Sequence, residues 1–265
     1  MRLTVIIVLF CYLEYSDCCE NKEPICQVQP NVSIAALILA RGGSKGIPLK
    51  NLAKIGETSL LVRALEIIHR FGRFETIWVS TDDDRIANEV YSAFPGNQTL
   101  VHIRPPEVAQ DHTTSIESTQ EFLSKHREIE NVALVQCTSP FLTVKYLEEA
   151  FPKFQQSSQV DCVFSVVRSF KLRWTFGTAD GVSSSSKLIP LNFDPARRPR
   201  RQDWTGELVE AGMFYFARRT LLTDGRFQNE NCAVVEIDAR DALEIDRSED
   251  LTLARMMVEA RRKDG

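Results

Sequence analysis

Residues 36–51, ALILARGGSKGIPLKN, set Gly42, Gly43 and Gly46 among Arg41, Lys45 and Lys50, directly after a short apolar run. Glycines let the backbone approach a ligand closely. Backbone N–H groups beside cations at a strand end make a cradle for a triphosphate. The loop is not a Walker loop, because Gly46 is followed by Ile47 and Pro48, and it is not G-x-G-x-x-G. Arg41, Ser44, Lys45 and Lys50 are the candidates to hold phosphate oxygens, although Lys45 and Lys50 alone would read as surface charges. Glu244 and Asp246 stand two apart, which in extended chain puts both carboxylates on one face. That suits a hard cation such as Mg²⁺, which takes oxygen ligands and keeps several waters. Asp82 and Asp83 are secondary candidates. Arg104 ends an apolar run, and Thr113 and Ser115 open a helical one. Hydroxyls and N–H groups at a helix start suit a ribose, a base or an anion. Ser115 reads equally well as an N-cap, and Asp111 as a turn residue.

The elements that position these residues alternate. Strand patterns fall at 36–39, 76–80, 100–103, 132–136 and 161–167, and helical ones at 59–71, 83–94, 115–126 and 144–154. Such alternation predicts a parallel sheet with helices on both faces, with ligands bound outside the carboxyl ends of the strands. Arg41, Asp82, Arg104 and Gln136 sit at those ends. Residues 168–206 lose the helical period and contain a Ser183–Ser186 run and the basic cluster Arg197, Arg198, Arg200 and Arg201. They read as an extended arm making subunit contacts. Alternation resumes at 207–216 and 233–237, and a last helix covers 248–262.

Composition sets outer bounds. The chain has 265 residues, 43% hydrophobic and 26% charged, with a net charge of −4, which argues against a nucleic-acid partner and makes any phosphate site local. Arg2 precedes an apolar run from Leu3 to Leu13 and a polar stretch, the pattern of a secretory signal. The run is shorter than the ~20 residues a membrane span wants, and no A-x-A site follows, so residues 1–19 read as a signal peptide or uncleaved anchor. Residues 20–33 read as a linker. Two sequons, at Asn31 and Asn97, agree with a secretory route. Of seven cysteines, Cys18, Cys19 and Cys26 could pair in an oxidising lumen, while Cys137, Cys162 and Cys232 lie in apolar runs and read as small core residues. Four scattered histidines argue against a histidine metal site.

The loop 40–51 occurs with VSTDD at 79–83, RPPEVAQDHTTS at 104–115, VQCTSP at 135–140, RPRRQDW at 198–204, FYF at 214–216 and LEID at 243–246. Together these resemble the CMP-N-acetylneuraminate cytidylyltransferases (CMP-sialic acid synthetases), over roughly residues 34–262. The resemblance implies an α/β, Rossmann-like nucleotidyltransferase fold with a mostly parallel sheet and an inserted dimerisation arm, in one domain over 34–265. It implies transfer of CMP from CTP to the anomeric hydroxyl of N-acetylneuraminic acid, with Mg²⁺ as cofactor and pyrophosphate as product. It assigns CTP to Arg41, Ser44, Lys45, Asn51, Arg104, Thr113 and Ser115. It assigns the sugar acid to Gln136, Thr138, Ser139 and Tyr215, although Tyr215 between two phenylalanines also reads as core. Glu244 and Asp246 would hold the metal, and Arg200 with Lys50 would act at the reaction centre. Two positions depart from the family pattern: Glu244 replaces an aspartate, and Ala211 an asparagine, a loss that Glu210 could offset. Vertebrate relatives carry a C-terminal phosphatase-like domain tied to tetramers; the chain ends before one, so a homodimer is expected. The basic cluster also resembles a nuclear import signal, which a secretory signal would override, so the Golgi lumen is the expected location. The alternatives are a cytidylyltransferase for another 2-keto-3-deoxy sugar acid, and a binding protein without catalysis.

Overall fold

The first apolar run folds as strand β1 (Ala35–Leu39) in this computed structural model. The structure describes residues 32–96, 98–155, 159–177 and 187–263. The N-terminal apolar run, Cys18, Cys19, Cys26, the sequon asparagines and the Ser183–Ser186 run lie outside the described residues. A small hairpin, β2 (Lys54–Ile55) and β3 (Thr58–Ser59), leads into α1 (Leu60–Phe71). Then come β4 (Thr76–Thr81), α2 (Asp84–Ala93), β5 (Leu100–Ile103), α3 (Ser115–Lys125), β6 (Asn131–Val135), α4 (Val144–Gln155) and β7 (Cys162–Ser169). The arm is a hairpin of β8 (Trp174–Gly177) and β9 (Lys187–Pro190). The chain returns as β10 (Glu207–Arg218), α5 (Arg219–Thr223), β11 (Cys232–Glu236) and α6 (Ser248–Lys263).

Seven strands form one sheet in the order β11-β7-β10-β6-β1-β4-β5, parallel except for β10, which runs against both neighbours. The mostly parallel sheet agrees with the alternation of the sequence. Side chains of β1 alternate between faces: Ala36, Ile38 and Ala40 meet the core shared with α1, α2 and α4, and Ala35 and Leu37 meet the core shared with α3 and α5. Helix α1 is anchored by Leu61, Ala64, Leu65 and Ile68, all buried; each buried Leu or Ile stabilises by ~1.5–3 kcal/mol. Ser59 caps its start by accepting from the Val62 N–H (3.2 Å), and Gly72 ends it at φ 66°.

The chain leaves β1 towards β4 and β5 on one side and later returns to β6 on the other. The loops after β1 and β6 therefore diverge and open a crevice at the carboxyl edge.

Two cysteines correct the sequence reading. Cys162 and Cys232 are register partners on neighbouring parallel strands and form a disulfide rather than packing as free core residues. Their separation of 70 residues hid the pairing. Cys137 is buried and free, and burial pushes its thiol up to about 12.

Candidate active site

The crevice is a cleft of about 250 Å³ lined by charged and polar side chains from four separate loops. Arg41, Ser44, Lys50 and Asn51 come from the loop after β1; Arg104, Thr113 and Ser115 from the segment between β5 and α3; Gln136 and Thr138 from the loop after β6; Glu244 and Asp246 from the chain before α6. All eleven were marked in the sequence.

The glycine loop is held from both sides. Asp82 accepts the Gly42 N–H (2.9 Å), and Asn51 donates to the Arg41 carbonyl (3.0 Å) while accepting from Cys137 Sγ (3.2 Å). A Cβ at Gly46 would stand 2.6 Å from the Asp246 carbonyl oxygen, so only glycine lets the loop meet that segment. Leu49 sits at φ 49°, a left-handed conformation costly for a branched residue, immediately before Lys50.

Arg104 is buried, and all three of its hydrogen-bond partners are neutral: Ser80 Oγ (3.1 Å), the Ser80 carbonyl (2.7 Å) and Ser118 Oγ (3.4 Å). Burial lowers its pKa, but a guanidinium keeps its charge. A buried cation facing a cleft with neutral partners is placed for an anionic or strongly accepting ligand. Ser118 went unnoticed in the sequence; its place one turn after Ser115 on the same helix face was the available signal.

Ser115 is not the N-cap. Thr114 caps α3 and forms a reciprocal capping box with Glu117, which leaves the Ser115 hydroxyl to the cleft. Asp111 is more than a turn residue: its two oxygens take Arg41 Nη1 and Lys45 Nζ, each at 2.6 Å, and these cations hold its carboxyl below the usual range.

Glu244 is half-buried and accepts from Thr138 Oγ1 (3.4 Å). Burial first, then the Asp246 charge, raise its pKa, while Lys50 offsets part of the effect. Lys50 Nζ pairs with Asp246 Oδ1 at 3.0 Å. Gly212, at φ 62°, leaves room for Glu244: a Cβ there would lie 2.9 Å from Glu244 Oε2. Two carboxylates lining one cleft, one of them paired with Lys50, are a donor set that a hard divalent cation would accept. Among the described residues no group of three or more His, Cys, Asp or Glu could hold a metal by itself. A Mg²⁺ ion, which binds through one or two carboxylates plus substrate phosphates, would need this pair and a ligand together.

Four principal candidates and the secondary candidate Asp83 are not among the residues that line the cleft. Lys45 is exposed and pairs with Asp111. Ser139 is buried, and its Oγ has no partner among the described residues. Tyr215 packs in the core on the opposite sheet face from Phe214 and Phe216, because alternate residues of β10 point oppositely, and its hydroxyl donates to Glu210. Arg200 is exposed on the arm and pairs with Asp203 (2.5 Å). Asp83, a secondary metal candidate, caps α2 and pairs with Arg85. Glu210 bonds Tyr215 and Gln228 (2.8 Å).

A switch-point cleft with a cationic glycine loop on this sheet is that of a Rossmann-like nucleotidyltransferase fold. A family model described as cytidylyltransferase matches residues 35–262, and the chain belongs to that family. It is 40% identical over 225 residues to N-acylneuraminate cytidylyltransferase A of Danio rerio, covering 85% of this chain and 50% of the relative. It is likewise 40% identical, over the same shares, to N-acylneuraminate cytidylyltransferase of Oncorhynchus mykiss. The Escherichia coli enzyme of that name is 30% identical, over 83% of this chain and 51% of the relative. The chain thus spans about half the length of these curated relatives. Among solved structures it is similar in fold to a CMP:2-keto-3-deoxy-manno-octonic acid synthetase complexed with CTP. The TM-score is 0.63 at 17% identity, covering 86% of this chain and 99% of the other. A 4-diphosphocytidyl-2C-methyl-D-erythritol synthase of Anaerococcus prevotii gives a TM-score of 0.62 at 16% identity, covering 87% and 98%.

Proposed function

We propose that this chain transfers CMP from CTP to the anomeric hydroxyl of N-acetylneuraminic acid, releasing pyrophosphate. The observation that carries the reading is the convergence in one cleft of Arg41, Lys50 and buried Arg104 with the Glu244/Asp246 pair and the polar Gln136 and Thr138. The names of the relatives point to the same acceptor.

The sugar hydroxyl is the nucleophile and the α-phosphate of CTP the electrophile, so catalysis rests on in-line positioning and charge neutralisation. Arg41, Ser44 and the glycine-loop N–H groups hold phosphate oxygens. Lys45 joins them when its pairing with Asp111 is exchanged for phosphate. Asn51, Arg104, Thr113 and Ser115 hold the nucleoside. Gln136 and Thr138 orient the sugar acid, with Ser139 shaping their loop. Glu244 and Asp246 would hold Mg²⁺, which when bound neutralises the triphosphate. Lys50, which pairs with Asp246, would act at the reaction centre.

Arg200 acts in a partner's cleft: the arm carries it, and exposed Trp174, Phe176, Leu188 and Leu191 give the arm an apolar face for a second copy, making a homodimer. The N-terminal signal, the sequons and the Cys162–Cys232 disulfide support work in the Golgi lumen, since disulfides persist in oxidising compartments.

The test is pyrophosphate release by the purified chain with CTP and Mg²⁺, with and without N-acetylneuraminic acid. Sugar-dependent release is expected. Release only with another 2-keto-3-deoxy sugar acid would move the acceptor. CTP binding without release with any of them would make this a binding protein.

A further inference from the structure

Residues 238–246, which follow β11 and end in the Glu244/Asp246 pair, are tied to the body of the molecule from two elements. Tyr146, buried on α4, accepts the Asp238 N–H on its hydroxyl (3.1 Å) and donates to Asp241 Oδ2 (2.6 Å). From α6, Arg261 Nη2 donates to Asp241 Oδ1 (2.7 Å) and to the Arg240 carbonyl (3.2 Å). The same guanidinium lies 4.2 Å from the centre of the Phe141 ring. Each oxygen of Asp241 therefore has its own donor, and the Asp241 N–H closes the turn onto the Asp238 carbonyl (2.8 Å).

The Tyr146 hydroxyl bonds both ends of this turn on its inner side, whereas the Asp238–Arg240 ion pair lies on the outer, exposed side. Beyond the turn, Ile245 is buried with Phe141, Leu251 and Ala254, and its N–H bonds the Thr138 carbonyl (2.8 Å). Asp250 takes the N–H groups of Asp246 and Arg247 (3.0 and 2.8 Å). Glu244 is thus suspended between two fixed points, the Asp241 knot and Ile245. It is separated from the knot by Ala242 and Leu243 alone, a span too short to absorb a shift of the turn.

We propose that Tyr146, acting through Asp241, is a positioning residue for the Glu244/Asp246 carboxylates, setting their spacing for a divalent cation. The proposal rests on the reading of that pair as the metal site. Nothing in the sequence singles out Tyr146, which has the apolar spacing of its helix, and its ring does pack in the core. The polar role belongs to the hydroxyl, so Tyr146→Phe separates the two.

The experiment follows Mn²⁺ binding to the full chain with CTP and without sugar, by electron paramagnetic resonance of the free ion. Tyr146→Phe, Asp241→Asn and Asp246→Asn are compared with wild type. An amide at 241 can accept from only one of the two donors by its oxygen, so Asp241→Asn loosens the same knot even if Tyr146→Phe fails to fold. Tyr146→Phe and Asp241→Asn are expected to weaken Mn²⁺ binding roughly tenfold, the low end of effects outside the ligand shell. Metal-free CTP affinity should stay unchanged. Wild-type Mn²⁺ binding in both, with Asp246→Asn weakened, would overturn the positioning role and leave the metal site standing. Wild-type binding in Asp246→Asn would overturn the metal reading itself.

Discussion

At the scale of the residue, the cleft works by leaving chosen charges under-compensated. Arg41 and Lys45 share Asp111, and Lys50 has Asp246, so under the proposed function a triphosphate would enter by exchanging one set of oxygens for another. These pairs are partly exposed, and such pairs are individually weak, so the exchange costs little. Arg104 differs, because it is buried among neutral acceptors and has no carboxylate to give up. Arg104→Met keeps the apolar stem and removes the charge. It should weaken CTP binding about 10- to 100-fold, the worth of charge-assisted hydrogen bonds in a desolvated site. Calorimetric titration with CTP checks this, and an affinity near wild type would remove Arg104 from the nucleotide site.

At the scale of the element, position depends on caps and cross-links. Thr114 ends the loop and starts α3, and by capping it frees Ser115 and places Ser118 under Arg104. Thr114→Ala should cost ~1 kcal/mol of stability, within the 0.5–2 kcal/mol range of cap losses, and raise the KM for CTP. Urea unfolding beside a CTP titration measures both. The disulfide fastens β11, an edge strand, to β7, and β11 leads directly into the segment with Glu244 and Asp246. A loop of that length is stabilised by about 2–4 kcal/mol when closed. Adding reductant, or Cys162→Ser, should lower the unfolding free energy by that amount and the denaturant midpoint with it, and an unchanged midpoint under reductant would show the bond to be energetically idle.

At the scale of the whole molecule, the described chain assembles a polar, charged cleft whose lining does not include Arg200, which stands on an arm whose apolar side chains face solvent. Within the proposed dimer, Arg200→Ala should lower turnover by orders of magnitude and leave folding intact, since an exposed surface substitution stays within about ±0.5 kcal/mol. If Arg200 serves the partner's cleft, mixing Arg200→Ala subunits with Asp246→Asn subunits after joint refolding should restore activity, because a mixed dimer holds one cleft with both native groups. No recovery in mixtures would place Arg200 and Asp246 in the same subunit's site. Among the described residues no helix is long and apolar enough to cross a membrane.

The order of strands and helices was legible in the sequence, because apolar periodicity is set by local geometry: β5 and α4 begin where the pattern predicts, and Arg41, Arg104 and Gln136 fall just past strand ends as expected of a parallel sheet. So were most of the cleft residues, since glycine, cation and carboxylate motifs sit at those ends. The remainder depended on contacts between distant parts of the chain. The partnership of Cys162 with Cys232 follows from strand register, the grip of Arg41 and Lys45 on Asp111 from the packing of two loops, and the Tyr146–Asp241–Arg261 knot from three elements meeting. Tyr215 packs on the face opposite Phe214 and Phe216 because alternate residues of β10 point oppositely, and the bond of its hydroxyl to Glu210 also needed the folded strand. Periodicity tells which side of an element is buried; only the closed sheet decides what that side meets.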